Sequence, residues 1–375
     1  MLGKRSKKVR RFGTMLVAAA ICVSLLGFQP TSTALAAARH VQVPRSGQLV
    51  RSSAARTKHL LGIDIWWIKR GSEGLSQRDE QLARYVAHVL HGNAVAISFP
   101  IFTRSETSNS VWASPRFTPS PGELAGLIAA CRKYHLTVTL RPLLNIGTKQ
   151  YDWRGQIRPT NLHKFFGSYA GALKRYLLLA EAEHMTTFVY ASEFWHQSTQ
   201  PSAIPAWKYL LKKLRRWYRG SLQYDASGNQ FALRSLIVPG YGNYTDAYFG
   251  VHTHWTAPEK KLYKSWLERF HRVPRRLLRR TVLQEVGIAA VYLGYWRPST
   301  VTSHHAKRKF LVMQQRWFSM VCHIVHHFHM KGVYFWTLYY GVNPYKVKKD
   351  NLWYDPSQWV NRSGGREIAS CFSRF

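Results

Sequence analysis

Acidic residues are scarce. The 375-residue chain carries 18 Asp and Glu against 54 Lys and Arg, a formal charge of +36 at neutral pH. So few acids leave little room for surface ion pairing. Cysteine is almost as sparse, with four residues. Cys22 lies in the N-terminal apolar stretch, and Cys131, Cys322 and Cys371 show no metal-ligand spacing. Three thiols admit one disulfide and exclude a disulfide framework. The first strand-like run, Gly62-Ile63-Asp64-Ile65-Trp66-Trp67, leads into no glycine-rich phosphate loop. That argues against a doubly wound nucleotide-binding sheet. Beyond the N-terminus no run is apolar enough to cross a membrane.

A charge this basic invites a nucleic-acid partner. The bases are spread along the whole chain, however, and no zinc-finger, RNA-recognition or helix-turn-helix signature appears. No nucleic-acid partner is expected. Two readings of the charge remain. One is contact with an anionic polymer or cell surface. The other is life in an acidic medium: a paired carboxylate loses its stabilising charge as it protonates, so a chain with few carboxylates has less to lose there.

The N-terminus reads as an export signal. Lys4, Arg5, Lys7, Lys8, Arg10 and Arg11 precede an apolar stretch from Met15 to Phe28, then Ala34-Leu35-Ala36-Ala37-Ala38. This is the order of a signal peptide, expected over 1–38. An uncleaved anchor is the alternative, although the stretch is short for a span of roughly 20 residues. Cleavage lowers the formal charge by six, to +30. Residues 39–58 read as a flexible basic lead-in, and 59–375 as one catalytic domain. A secreted or cell-surface monomer is expected.

From residue 60 onward, strand-like and helix-like segments alternate. The strand candidates are 60–67, 94–100, 136–144, 187–194, 221–226, 248–255, 281–288 and 332–339. They are short, continuously apolar and rich in β-branched and aromatic residues, as strands buried on both faces are. Helical spacing marks 76–90, 123–135, 162–184, 205–218, 258–270 and 307–329. The Gly- and Asn-rich stretch 227–247 reads as loop. Eight such units predict an α/β fold, the (β/α)8 TIM barrel, whose active site lies at the C-terminal strand ends.

Against this scarcity, two glutamates stand in apolar runs: Glu193 in Tyr-Ala-Ser-Glu-Phe-Trp and Glu285 in Val-Leu-Gln-Glu-Val-Gly. A carboxylate is costly to bury without a partner or a task. On strands four and seven, the pair suits glycoside hydrolysis, in which an acid/base and a nucleophile flank the scissile bond. The acid/base needs a raised pKa, which the aromatic neighbours Phe194 and Trp195 would promote. The structural alternative pairs either glutamate with a barrel arginine such as Arg141 or Arg154. Trp66, Trp153, Trp195 and Trp336 are candidates for stacking on sugar rings, though core packing accounts for some of the 14 Trp.

Residues 136–195 resemble the glycoside hydrolases of family 113, the β-mannanases. The most specific stretch is Asp152-Trp153-Arg154-Gly155-Gln156-Ile157-Arg158-Pro159; Phe165-Phe166-Gly167-Ser168-Tyr169 and the first-strand Gly62-Ile63-Asp64 also match. The resemblance implies a retaining mechanism without cofactor or metal, with Glu193 as acid/base and Glu285 as nucleophile. A poly- or oligosaccharide substrate is expected, touched by Asp64, Trp66, Arg141, Asn145, Trp153, Arg154, Trp195, His252, His254 and Trp336. Some motifs depart from the family. The third strand gives Arg141-Pro142-Leu143-Leu144-Asn145 where a Lys-Pro-His-x-Asp run is usual. At the sixth strand, Val251-His252-Thr253-His254-Trp255 stands where Asp-Ala-Tyr is usual. Arg141 and the histidines would suit an anionic sugar, or a neutral one in acid.

Alternatives stay open: a non-catalytic barrel holding an anionic cell-surface polymer, or a metal-dependent hydrolase using His252 and His254 with a third ligand such as Glu285 or Asp64. His323, His326, His327 and His329 cluster before the eighth strand and read as a solvated face. Arg275, Arg276, Arg279 and Arg280 read as a surface patch, one that could hold the enzyme near anionic polymer.

Overall fold

Seven of the eight expected strands, with an eighth at a different place, close on one another. In the computed structural model, residues 59–67, 75–147, 153–233, 236–299, 307–347 and 357–375 are described. The expected signal and lead-in, 1–58, lie outside them. The strands are β1 (Leu60–Trp66), β2 (Ala94–Thr103), β3 (Thr137–Ile146), β4 (Thr187–Ser192), β5 (Ser221–Ser227), β6 (Tyr244–Asp246), β7 (Val282–Val286) and β8 (Gly332–Tyr339). Each pairs in parallel with the next, and β8 pairs with β1, Leu60 opposite Gly332, to complete the ring. A two-residue strand, Val111–Trp112, adds an antiparallel rim to β2.

Helices cover the outside. The longer ones are α1 (Leu75–Arg84), α2 (Pro121–Lys133), α3 (Leu162–Ala182), α5 (Ile204–Leu214), α7 (Glu259–Phe270), α9 (Leu311–His327) and α10 (Ser363–Phe372). Short turns form α4 (Trp195–Thr199), α6 (Gly228–Leu233) and α8 (Arg275–Leu278). Local chemistry sets their starts. Ser120 and Glu123 cap α2 reciprocally, with Pro121 in its first turn, and Asn161 caps α3. A disulfide joins Cys322 of α9 to Cys371 of α10, and Cys131 is free and buried.

The barrel interior changes character from bottom to top. Ala94, Ala96, Val189, Tyr244, Val282 and Tyr334 form a small apolar layer at the N-terminal strand ends. Above it the inward positions turn polar: Asp64, Ser98, Arg141, Ser192, Asp225 and Asp246 are all buried. Alternation along a strand produces this layering, since every second residue points inward. Residues 96 and 98, or 139 and 141, occupy successive layers.

One strand differs from expectation. The sixth is Tyr244–Asp246, inside the stretch read as loop, and 248–255 is loop instead. The aromatic and β-branched run there packs against the segment after β7. Val251 N–H donates to Tyr295 O at 2.6 Å rather than to a neighbouring strand. Placed correctly, the strand end reads Asp246-Ala247-Tyr248, so the family's Asp-Ala-Tyr run is present.

Candidate active site

Arg141 organises the polar layer. It is fully buried on β3, and its guanidinium meets three carboxylates. Nε donates to Asp225 Oδ2 at 2.6 Å, Nη2 to Asp246 Oδ2 at 2.7 Å and Nη1 to Glu285 Oε2 at 2.5 Å. Nη1 also lies 3.4 Å from Ser98 Oγ, which donates to Asp64 Oδ1 at 2.8 Å. Ser192 Oγ donates to Asp246 Oδ2 at 2.8 Å. One cation thus serves four acids, counting Asp64 through Ser98.

The acids outnumber the cation, and the interior resists charge. Burial pushes the Asp225 carboxyl up to about 7, against the pull of Arg141. Burial likewise raises Asp64 and Asp246 well above the usual carboxylate range, again opposed by Arg141 and assisted by Glu285. Asp64 Oδ2, Asp225 Oδ1 and Asp246 Oδ1 have no hydrogen-bond partner. A protonated carboxyl leaves such an oxygen at lower cost than an anion does.

Glu285 is the member of this network that reaches the mouth. Its side chain retains 13% exposure. Arg141 holds one oxygen, and the Tyr248 hydroxyl donates to the other, Oε1, at 2.6 Å. Both oxygens therefore accept hydrogen bonds, one of them from a charged donor. Gly287 makes room for this. A Cβ there would stand 3.1 Å from Trp336 Cβ and 3.3 Å from the Tyr248 hydroxyl.

Glu193 directly follows β4. Its φ is +55°, unfavourable for a residue with a side chain and found preferentially at functional sites. The other non-glycine residues in that region include His91, His135, His184 and His329, each at a helix end. Glu193 is instead at the end of a strand, and its N–H donates to Asp225 O at 2.8 Å. Trp153 Nε1 and Arg154 Nη1 both donate to Glu193 Oε2, at 3.0 and 2.9 Å. This is a more polar setting than the aromatic neighbours suggested. Phe194 turns away into the core, fully buried.

Both arginine pairs considered from the sequence therefore exist. They leave each glutamate partly exposed at the C-terminal strand ends, and among the described residues the side-chain donors on Glu193 fall on one oxygen.

The remaining candidates divide into groups. Trp153 and Trp195 face one another at 5.9 Å beside Glu193, and Trp66 and Trp336 at 5.7 Å across β1 and β8. Asp64 and Arg141, expected to touch substrate, are closed off from solvent, and Arg141 has its donors engaged by carboxylates. Asn145 lies half-buried near the end of β3. The two histidines after β6 turn to different neighbours. His252 packs 4.9 Å from Trp296, while His254 Nδ1 shares a 2.6 Å hydrogen bond with Thr256 Oγ1. Among the described residues no three His, Cys, Asp or Glu are grouped to hold a metal ion, nor is any helix long and apolar enough to cross a membrane.

The sequence reading missed Asp225, Asp246, Tyr248, Tyr292 and Trp296. Tyr292 and Trp296 are about half-exposed on the segment after β7, next to His254 and His252. The Asp246-Ala-Tyr248 triplet was the available signal for two of these, hidden by the misplaced sixth strand.

Comparison with known proteins agrees with the barrel fold. The profile of Glycoside Hydrolase Family 113 matches residues 65–357. A GH113 β-1,4-mannanase superposes with a TM-score of 0.70 at 16% identity, covering 85% of this chain and 100% of that one. The GH113 β-mannanase AaManA from Alicyclobacillus acidocaldarius, in complex with ManMIm, gives 0.64 at 18%, covering 84% and 97%. A β-glucuronidase from Ruminococcus gnavus in complex with D-glucuronic acid gives 0.52 at 9%, covering 84% and 49%. Identities this low speak to the fold alone. No curated protein sequence matches the chain.

Proposed function

The chain belongs to Glycoside Hydrolase Family 113, and from that premise we propose an exported, retaining hydrolase of a β-linked glycan with Glu193 as acid/base and Glu285 as nucleophile. The observation that carries the assignment is the contrast between the two carboxylates. Glu285 has both oxygens held by donors, Arg141 and Tyr248, as an anionic nucleophile requires. Among the described residues Glu193 has its side-chain donors on Oε2 only, leaving Oε1 to exchange a proton with the glycosidic oxygen.

The reaction then has two steps. Glu285 attacks the anomeric carbon while Glu193 gives a proton to the departing oxygen. Glu193 next takes a proton from a water whose oxygen attacks the anomeric carbon, displacing Glu285 and releasing the sugar with its configuration retained. Trp153, Trp195, Trp66 and Trp336 supply apolar faces for the sugar rings near the two acids. The presence of Asp246-Ala-Tyr248 supports a mannan-type backbone as the first substrate to test.

Arg154 on Glu193 is the one observation that favours the other reading, a barrel that binds glycan without cutting it. Release of reducing ends from β-1,4-mannan and glucomannan separates the two. The hydrolase reading expects release by the wild type and none by Glu285→Gln. Glycan binding without release would establish the binding barrel.

A further inference from the structure

We propose that the outer groove between α7 and α9, with the arginines of α8, is a second carbohydrate site that docks the enzyme on an acidic polysaccharide. The proposal rests on the hydrolase reading only for the kind of polymer. The site lies on the barrel's helical flank, apart from the mouth where Glu193 and Glu285 stand.

The groove is a concavity of about 550 Å³ lined by Glu259, Lys260, Tyr263, His323, His326 and His327. Tyr263 is half-buried, its ring 6.3 Å from both His323 and His327. His271 stands 6.4 Å from His327, and His329 stands 6.2 Å from His326. The one acid in the lining, Glu259, is already engaged by His323 Nδ1 at 2.7 Å. His327 titrates below its ordinary value, first through partial burial and then through Arg275, His271, His329 and His326. Arg275 therefore stands close enough to act on an imidazole of the groove.

Four surface bases elsewhere meet acids: Lys133 pairs with Glu80, Arg132 with Glu183, Arg219 with Glu181 and Arg374 with Glu367. Arg275, Arg276, Arg279 and Arg280 are exposed. Among the described residues no carboxylate lies within ion-pair distance of any of the four. Uncompensated charge of one sign beside a concave groove is an electrostatic footprint for a polyanion.

One feature selects a polysaccharide: Tyr263, in the lining of the groove, offers a ring for stacking. A membrane-docking face would present several large apolar anchors; among the described residues Phe375, near His326, is the one exposed large apolar side chain with a ring contact to the lining.

The test uses full-length protein carrying Glu285→Gln, so that binding is read without cleavage. Binding to polygalacturonate, phosphorylated dextran, uncharged dextran and a DNA duplex is measured across a salt series. The expected result is salt-sensitive binding to polygalacturonate or phosphorylated dextran, and none to uncharged dextran. Which acidic polymer binds tighter distinguishes carboxylate from phosphate recognition. Changing Arg275, Arg276, Arg279 and Arg280 to Gln should weaken binding at least about tenfold and flatten its salt dependence. Changing the same four to Lys should preserve binding. In the otherwise wild-type enzyme, the Gln set should leave hydrolysis of a short soluble oligosaccharide unchanged. No binding by the parent, equal binding by the Gln set, or tighter binding to DNA than to either acidic polysaccharide would overturn the proposal. Absence of hydrolysis by the wild-type enzyme, with polymer binding intact, would count against the hydrolase reading alone.

Discussion

At the scale of single residues, Arg141 and Tyr248 decide what Glu285 can do. Arg141 balances Glu285, Asp225 and Asp246 in an interior that penalises unpaired charge. Arg141→Met removes that balance while keeping most of the volume. The expected loss is about 3–5 kcal/mol of folding stability, measured by urea denaturation. A loss under 1 kcal/mol would show that the carboxylates are neutral without the arginine. Tyr248→Phe removes one hydrogen bond to an ionised group, a contact whose net value is about 1.5–3 kcal/mol. It should lower kcat about ten- to a hundredfold with the fold intact; an unchanged kcat would remove Tyr248 from the site. Glu193→Gln should cost about 10²–10⁴ in rate on substrates with poor leaving groups, and much less on an activated aryl glycoside, whose departure needs no proton. Equal losses on both substrates would contradict the acid/base role.

At the scale of elements, the barrel was legible because its strands are continuously apolar and its helices periodic. β8 falls at 332–339 both in sequence and in structure. β6 was not legible. Three residues, Tyr244–Asp246, carry too little pattern to stand out, while Val251 and its aromatic neighbours imitate a strand and fold as loop. The same error hid Asp246 and Tyr248. Asp225 was hidden for another reason: nothing local announces that a strand residue will turn inward onto Arg141. Glu193 and Glu285 were legible because charge in an apolar run is conspicuous in a chain with few acids. The pairing of Cys322 with Cys371 could not be read from three thiols. The disulfide ties α10 to α9 across 49 residues. Replacing both cysteines by serine should lower stability by about 3–4 kcal/mol on loop-entropy grounds. An unchanged unfolding midpoint under oxidising conditions would show that packing alone holds α10.

At the scale of the whole molecule, the scarcity of acids and the raised aspartates act in the same direction. An acid whose folded pKa lies above its unfolded value binds its proton more tightly when folded. It favours the folded state below the unfolded value and loses that contribution as pH rises to the folded one. For Asp225 this window runs from the ordinary 3.8 to about 7. Asp64 and Asp246 shift the same way. The few surface ion pairs oppose this: Glu80, for instance, titrates below its usual value through hydrogen bonds from Lys133 and Tyr134. With Asp79 also raised, to about 6, four buried acids stand against few surface pairs, and thermal stability should be higher at pH 4 than at pH 7.5. Asp225→Asn should flatten that dependence. A stability maximum at or above pH 7 would contradict this account and the acidic-medium reading of the composition.

The central claim is that Glu285 forms a covalent bond to the sugar. Incubation with a 2-deoxy-2-fluoro-β-mannosyl fluoride, followed by mass analysis of the intact protein and its peptides, tests it most directly. The fluorine slows breakdown of the glycosyl-enzyme, so the account predicts a single added sugar mapped to Glu285 and absent from Glu285→Gln. A sugar attached to any other carboxylate would contradict it.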